Sequence, residues 1–147
     1  MNEPYDQIIT TFPLFEGYTV HGAQFILEHG KIREHESGEV LCREGDTANF
    51  VLLVLRGKVE VFVERRGQTL VLTEAGPGTI LGELAVLCGS PRSASLRASE
   101  KLVVLHWEKE AFRRMLLSDA FLSERILRQS LRMLIEKEQT LIDSLGT

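Results

Sequence analysis

The stretch KVEVFVERRGQTLVLT, residues 58–73, alternates apolar and polar side chains on both sides of a short polar turn. Val59, Val61 and Val63 share one face of an extended chain, because successive side chains of a strand point to opposite faces. The turn at residues 65–68 contains a glycine, which is typical of the connection between antiparallel strands. The stretch therefore predicts a β-hairpin with one buried face.

The same texture extends outward from the hairpin. Between residues 31 and 107, short apolar runs are separated by glycine-containing turns at intervals of about ten residues, which is typical of an antiparallel sandwich or barrel. Residues 50–55 are continuously apolar, as in a strand buried on both faces, and residues 102–107 form the last predicted strand.

Helical patterns flank the strands on both sides. The predicted helices cover residues 5–11, 19–29, 108–117 and 120–145. We therefore expect a mostly β fold: an antiparallel β-roll of the jelly-roll type, with short N-terminal helices, a short helix near residue 82 and a long C-terminal helix. The length is that of one domain. The expected division is N-terminal helices to about residue 30, the roll at 31–107 and C-terminal helices at 108–147.

Composition excludes several classes of protein. The net charge of −4 argues against a basic face for DNA, and no apolar run approaches the roughly 20 residues that span a bilayer. The N-terminus has no signal-peptide pattern, so Cys42 and Cys88 indicate reduced thiols in a cytoplasmic protein. The histidines and cysteines lack metal-ligand spacing, and no catalytic motif is present, so we expect neither an enzyme nor a metal site.

The segment GELAVLCGSPRSAS, residues 82–95, contains one acid and one base within small and apolar residues. Gly82 permits close approach of a ligand to the backbone, and a helix that starts there presents free N–H groups to an anion. Arg92 is a natural phosphate partner because its planar guanidinium matches phosphate oxygens. Glu83 repels phosphate and suits a neutral donor such as a sugar hydroxyl. Ser93 and Ser95 add small hydroxyl groups. The pattern predicts a ribose phosphate ligand.

These motifs resemble the cyclic nucleotide-binding domain of catabolite activators, cyclic-nucleotide-dependent kinases and gated channels. The similarity covers about residues 12–134, and its specific part is GELA at 82–85 followed by PRSAS at 91–95. The other matching motifs describe the fold: FPLF at 12–15, GE at 38–39, EGD at 44–46 and Gly57. The resemblance implies a phosphate-binding cassette at 78–95.

The resemblance assigns a set of residues to the ligand site: Gly82, Glu83, Leu84, Ala85, Arg92, Ser93, Ala94, Val71 and Leu72. Glu83 is expected to accept a hydrogen bond from the ribose 2′-hydroxyl, and Arg92 to hold the cyclic phosphate. The backbone N–H groups of Leu84 and Ala85 and the hydroxyl of Ser93 are expected to support that phosphate. Val71 and Leu72 are expected to line the base pocket. No cofactor is implied besides the ligand itself.

The sequence does not decide which ligand is bound or how binding is signalled. Serine at position 93 favours cAMP over cGMP in this family, and a residue of the last helix is expected to cap the base. The candidates for the cap are Arg128, Gln129, Arg132, Lys137 and Glu138. Alternatives are a nucleotide-free dimerising scaffold of the same fold, or a sensor of another anion such as cyclic di-GMP.

A heptad-like stripe runs along the last helix: Leu127, Leu131, Leu134, Leu141 and Leu145. This stripe indicates either packing on the roll or a homodimer, and the dimer is the favoured reading. A sensor of this kind is expected to signal to an unknown protein partner by moving its C-terminal helices, without binding DNA or a membrane.

Overall fold

The computed structural model describes residues 4–146 of the chain. Its strands are β1 Lys31–His35, β2 Val40–Cys42, β3 Phe50–Arg56, β4 Val59–Arg65, β5 Gln68–Ala75, β6 Ile80–Leu81, β7 Ser95–Ala98 and β8 Leu102–Glu108. They form two four-stranded antiparallel sheets, in the orders β1-β8-β3-β6 and β2-β7-β4-β5. The predicted antiparallel β-roll is confirmed.

Two helices precede the strands in the chain, one lies between β6 and β7, and two follow the last strand. They are α1 Tyr5–Thr10, α2 Val20–Glu28, α3 Glu83–Cys88, α4 Lys109–Ser118 and α5 Ala120–Leu145, with a short 3-10 helix at Pro13–Phe15. Side chains cap two of them: the Thr19 hydroxyl accepts from the N–H of Gly22, and the Asp119 carboxylate accepts from the N–H of Leu122. Within residues 4–146, no helix combines the length and apolarity needed to cross a bilayer.

The predicted hairpin is the β4–β5 pair, and its apolar row faces the other sheet. Val59, Val61 and Val63 are all at most 3% exposed and belong to the core between the two sheets. The pairing register shifts once: Val61 lies opposite Thr73, whereas Phe62 lies opposite Val71, so Leu72 is the extra residue of a β-bulge. The bulge changes which side chains of β5 face the core.

A second core lies on the other face of the β1-β8-β3-β6 sheet, beneath the helices. Trp107 and Phe112 pack there against α2, and the indole N–H of Trp107 donates to the carbonyl of Ile26 at 3.3 Å. α5 contributes Leu122 and Ile126 to this core, both at most 1% exposed. The C-terminal helix is thereby held across the body of the molecule.

The leucine stripe of α5 lies away from these contacts. Leu127, Leu131 and Leu145 are 53%, 47% and 87% exposed. The residues that α5 buries are instead Leu122, Ile126 and Ser130, which recur every four positions. Leu134 and Leu141 are more covered, at 45% and 36% exposed, and Leu134 contributes to the cavity described below. The stripe as a whole is therefore partly exposed rather than packed on the roll.

Gly57 lies in the turn between β3 and β4, where the structure leaves no room for a side chain. Its φ is +90°, and a Cβ there would lie 2.3 Å from the carbonyl oxygen of Lys101. We expect Gly57→Ala to lower the free energy of unfolding by about 1–3 kcal/mol from backbone strain alone, and by more because of the backbone clash. Chemical denaturation measures the loss. The control is Gly67→Ala, where φ is +74° and nothing lies within 4 Å. Equal losses for both variants would contradict the steric argument.

Candidate functional site

A cavity of about 70 Å3 lies between the open end of the roll, α3 and α5. Seven of the nine residues expected at the ligand site line it: Gly82, Glu83, Leu84, Ala85, Arg92, Ser93 and Ala94. The roll adds Cys42, Val61, Ile80, Leu81 and Leu96, and α5 adds Met133, Leu134 and Lys137. The structure thus brings the acid and the base of the cassette to one cavity.

Val71 and Leu72 are not brought to this cavity. Val71 lies opposite Phe62, on the face of the sheet that points away from Val61 and Val63, and is 39% exposed. Leu72 is 7% exposed within the core between the sheets, and its carbonyl accepts from the hydroxyl of Thr140 at 3.1 Å. Val71 and Leu72 are neighbours in β5, so their side chains point to opposite faces of the sheet and cannot both line one cavity.

Both the main chain and the side chain of Arg92 form hydrogen bonds with backbone groups of other segments. Its N–H donates to the carbonyl of Asp46 and its carbonyl accepts from the N–H of Gly45, both at 2.8 Å. In the side chain, Nη1 donates to the carbonyl of Gly82 at 2.8 Å and Nη2 to that of Phe50 at 2.5 Å. The guanidinium also lies over the Phe50 ring, 4.7 Å from its centroid. These contacts hold the cation at the cavity wall.

Arg92 is nevertheless a buried cation outside any ion pair of residues 4–146, although the charges of Glu83 and Asp46 act on it. The residue is 4% exposed, and none of the described carboxylates forms an ion pair with it. Its Nε–H is buried and has no hydrogen-bond partner within residues 4–146. Burial lowers the pKa of the guanidinium from its ordinary value, yet arginine stays protonated in proteins. A buried charge with spare donors favours an anion at this wall of the cavity.

Gly82 is required by the same arrangement. It precedes α3 with φ +84°, and a Cβ there would lie 2.3 Å from Nη1 of Arg92. A side chain at this position would therefore strain the backbone and push the guanidinium from the carbonyl that it binds. The glycine at the start of the cassette thus allows the arginine at its end to dock.

Glu83 is buried at the first turn of α3. It is 5% exposed, and burial raises the pKa of its carboxyl. The neighbouring Ser130 hydroxyl and the N–H of Glu83 itself lower this pKa, as do the charges of Lys137 and Arg92, but burial has the larger effect. The acceptor expected for a ligand hydroxyl is therefore covered by α5 in this structure.

Sequence reasoning missed Phe50, which binds Arg92, and Ser130, a buried residue of α5 that affects the pKa of Glu83. Phe50 lies 42 residues from Arg92 in the chain, and nothing in the local sequence points to it. Ser130 carries a detectable signal, because it continues the buried row of Leu122 and Ile126 at the same spacing of four. A serine in a buried helical row indicates a polar contact.

The remaining candidate residues have separate places. Ser93 is exposed at the rim, whereas the hydroxyl of Ser95 is buried and accepts from the N–H of Glu44 at 2.9 Å. Among the five residues considered for the base cap, Lys137 lines the cavity. Gln129 instead bonds the backbone of Gly78 and Ile80. The described part of the chain holds no group of three or more metal-ligating side chains.

The buried acid makes stability depend on pH. Because the folded pKa of Glu83 is raised, its ionisation disfavours the folded state, and that cost appears as pH rises through the raised value. We expect Glu83→Gln to be more stable than the wild-type chain at about pH 8, with the difference shrinking as pH falls toward the ordinary glutamate pKa of about 4.3. Urea titrations across this range measure it. A variant that is less stable than wild type at about pH 8 would show that hydrogen bonds outweigh burial.

Comparisons with known proteins agree with this geometry. The family model of the cyclic nucleotide-binding domain matches residues 22–119. A cAMP-dependent protein kinase regulatory subunit of Mycosarcoma maydis is 27% identical over 117 residues, which cover 76% of this chain and 22% of the relative. The chain spans about a quarter of the length of such curated relatives.

Solved structures show the same fold. The catabolite activator protein of Thermus thermophilus matches with a TM-score of 0.77 and 28% identity, over 91% of this chain and 63% of that one. The c-di-GMP-responsive global regulator CLP of Xanthomonas campestris matches with a TM-score of 0.71 and 24% identity, over 79% of this chain and 59% of that one. At that identity the second likeness shows the fold alone. Because the family model covers about two thirds of its length, the chain belongs to the cyclic nucleotide-binding domain family.

Proposed function

We propose that the chain is a receptor for a cyclic nucleotide, and that binding is coupled to movement of α5. The observation that carries the proposal is the buried guanidinium of Arg92, which lines the cavity without a carboxylate partner among the described residues. An anionic ligand supplies the missing counter-charge. The role is one of binding, and no catalytic step is required of these residues.

The charges around the cavity suit a phosphodiester that carries one negative charge. Arg92 provides a fixed cation, and Lys137 adds a second at the α5 wall. Glu83 lies across the same cavity and accepts hydrogen bonds, so it fits a hydroxyl rather than a phosphate. A ribose cyclic phosphate presents both groups on one rigid bicycle. We assign the phosphate to Arg92 and the ribose hydroxyl to Glu83.

We propose cAMP as the preferred messenger, ahead of cGMP. The support is Ser93, whose position at the rim beside Arg92 matches the cassette pattern that the resemblance connects with cAMP. Lys137 is the proposed base-side contact, because it is the residue among the five candidates that lines the cavity. Cyclic di-GMP is the rival ligand, and a dimerising scaffold without ligand is the rival role. Both are decided by the binding experiment below.

The small size of the cavity supports the proposed movement of α5. Sites for small molecules enclose roughly 300–1,000 Å3, and this cavity has about 70 Å3. Met133, Leu134 and Lys137 form its α5 side, so withdrawal of this helix enlarges it most directly. Ligand binding then favours the withdrawn position and changes the surface that a protein partner meets.

We further propose that the outward leucine stripe of α5 forms a homodimer. Leu127, Leu131 and Leu145 of the stripe are about half exposed or more, although they lie on one long helix with heptad-like spacing. Ile135 and Ile142, next to the stripe, add further exposed apolar surface. Glu138 occupies a position in the stripe where the repeat calls for an apolar residue. The stripe therefore suits a weak or reversible pairing.

Calorimetry of the ligand-stripped, refolded chain against cAMP, cGMP and cyclic di-GMP tests the receptor function. We expect cAMP to bind, and Arg92→Ala to lose about 1.5–3 kcal/mol of binding free energy, or roughly ten- to a hundredfold in affinity, because a charge-assisted contact is removed. The matched control is Arg113→Ala, an exposed arginine of α4 outside the cavity, which should bind as the wild type does.

Three outcomes would contradict the proposal. Tighter binding of cyclic di-GMP than of cAMP would show that cAMP is not the preferred ligand. No heat with any of the three ligands, from a chain that circular dichroism shows to be folded, would support the scaffold. Unchanged affinity of a folded Arg92→Ala variant would move the anion site elsewhere.

Sedimentation equilibrium tests the dimer. Leu131→Glu places a charge within the apolar stripe and should raise the dimer dissociation constant at least tenfold, which corresponds to about 1.4 kcal/mol. Glu138→Leu completes the repeat and should lower the constant. The dimer proposal would be contradicted if the wild-type chain stayed monomeric at all concentrations. It would also be contradicted if neither variant changed the dimer dissociation constant.

A further inference from the structure

A second cavity, of about 380 Å3, lies between α5 and the 3-10 helix at Pro13–Phe15. Four residues of α5 and three from the segment 13–16 line it. Among the described residues, none lines both this cavity and the cavity of Arg92. Its volume falls within the roughly 300–1,000 Å3 that sites for small molecules enclose. The second cavity is therefore a candidate site in its own right.

The lining of this cavity is rich in positive charge. Three arginines of α5 line it, and we call the cavity the arginine groove: Arg125, Arg128 and Arg132. The carboxylate of Glu16 is the one acid of the lining, so three positive charges face one negative charge. None of the ion pairs within residues 4–146 joins Glu16 to these arginines. The chain as a whole carries a net charge of −4, so this local excess runs against its overall charge.

Arg125 is held in place by neutral groups. Its Nη1 donates to the carbonyl of Leu14 at 3.3 Å and to the carbonyl of Glu16 at 2.5 Å. Its guanidinium lies over the ring of Tyr18, 5.6 Å from the centroid. No carboxylate of residues 4–146 forms an ion pair with it. Arg125 therefore supplies a positioned cation whose charge is available to an anion in the groove.

Arg128 and Arg132 lie one turn apart on the same face of α5. Like charges at this spacing destabilise a helix. Arg128 is bonded to Glu124 at 2.7 Å, but both side chains are more than half exposed, and exposed pairs of this kind contribute little. Arg132 forms no ion pair with any described residue. An anion between them would remove the repulsion.

We propose that the arginine groove is a second anion site and that it takes a polyphosphate group. From Arg125 to Arg132 the helix rises about 10 Å, at roughly 1.5 Å per residue. A row of this length suits a chain of phosphates better than a single phosphate. The planar guanidinium groups match phosphate oxygens, and each can present two donors to one phosphate. The proposal does not depend on which ligand occupies the cavity of Arg92.

Calorimetry of the full chain with inorganic triphosphate, in magnesium-free buffer at physiological ionic strength, tests the site. We expect binding, together with a rise in the melting temperature, because a ligand of the folded state stabilises it. Arg128→Ala and Arg132→Ala should each weaken binding roughly three- to tenfold. Glu16→Gln removes the acid of the lining and should tighten binding roughly two- to threefold. The matched control is Arg114→Ala, an exposed arginine of α4 outside the groove, which should bind as the wild type does.

ATP in a parallel titration identifies the source of the phosphate chain. Equal affinities for ATP and triphosphate would support the site and assign recognition to the phosphates alone. Tighter binding of ATP would support the site and assign it to a nucleoside triphosphate.

Three results would overturn the proposal. The first is a wild-type chain, folded by circular dichroism, that gives neither heat nor a change in melting temperature with triphosphate. The second is a loss of affinity in folded Arg128→Ala and Arg132→Ala no larger than in Arg114→Ala. The third is sulfate, at the same ionic strength, binding as tightly as triphosphate, which would show general attraction of anions. Failure here leaves the cyclic nucleotide proposal standing, and absence of cyclic nucleotide binding leaves this proposal standing.

Discussion

The structure depends on one buried guanidinium, which lies at the wall of a cavity and is bonded to backbone carbonyls. No carboxylate of residues 4–146 forms an ion pair with it. Arg92 needs the carbonyl of Gly82, and that carbonyl is accessible because residue 82 lacks a side chain. It also needs Phe50, the first residue of β3, both as an acceptor and as an aromatic surface. The turn before β3 pairs with the backbone of Arg92 and fixes its depth. The strands, the cassette helix and the turn are thereby brought to one point.

The two charged groups of the cavity are held in different ways. The guanidinium of Arg92 is bonded to main chain, through the carbonyls of Gly82 and Phe50. The carboxyl of Glu83 is buried at the start of α3, and α5 supplies Met133, Leu134 and Lys137 to the same cavity. Under the proposed function, a ligand therefore meets a fixed cation on one side and must share the cavity with α5 on the other.

The sequence predicted the elements whose signals are local. Alternation at Val59, Val61 and Val63 identified the hairpin, and the uninterrupted pattern after Asp119 identified α5 to within its observed bounds. The expected place of Val71 and Leu72 came from the family resemblance alone, and the bulge between their pairing partners is not visible in residue types. Contacts between segments that are distant in the chain were likewise not predictable from the local sequence pattern.

The candidate site shows the same division between residue type and partner. Glu83 and Arg92 attracted attention through their chemistry and their isolation in an apolar segment. Phe50, which binds Arg92, and Ser130, whose hydroxyl affects the pKa of Glu83, are more than 40 residues away in the chain and are placed by tertiary packing. On α5, the sequence pattern favoured the leucine stripe over the neighbouring row that is actually buried. That row was overlooked because its third residue, Ser130, is polar.

The most direct test of the central claim observes the Arg92 side chain itself. Heteronuclear NMR of the arginine side-chain N–H groups, with Arg92→Lys to assign the resonance, reports whether the unpartnered Nε–H gains an acceptor. We predict that saturating cAMP shifts this resonance and slows its exchange with solvent, while the exposed Arg113 resonance is unaffected. Binding of cAMP with the Arg92 resonance unchanged would show that the buried guanidinium is structural and that the anion is held elsewhere.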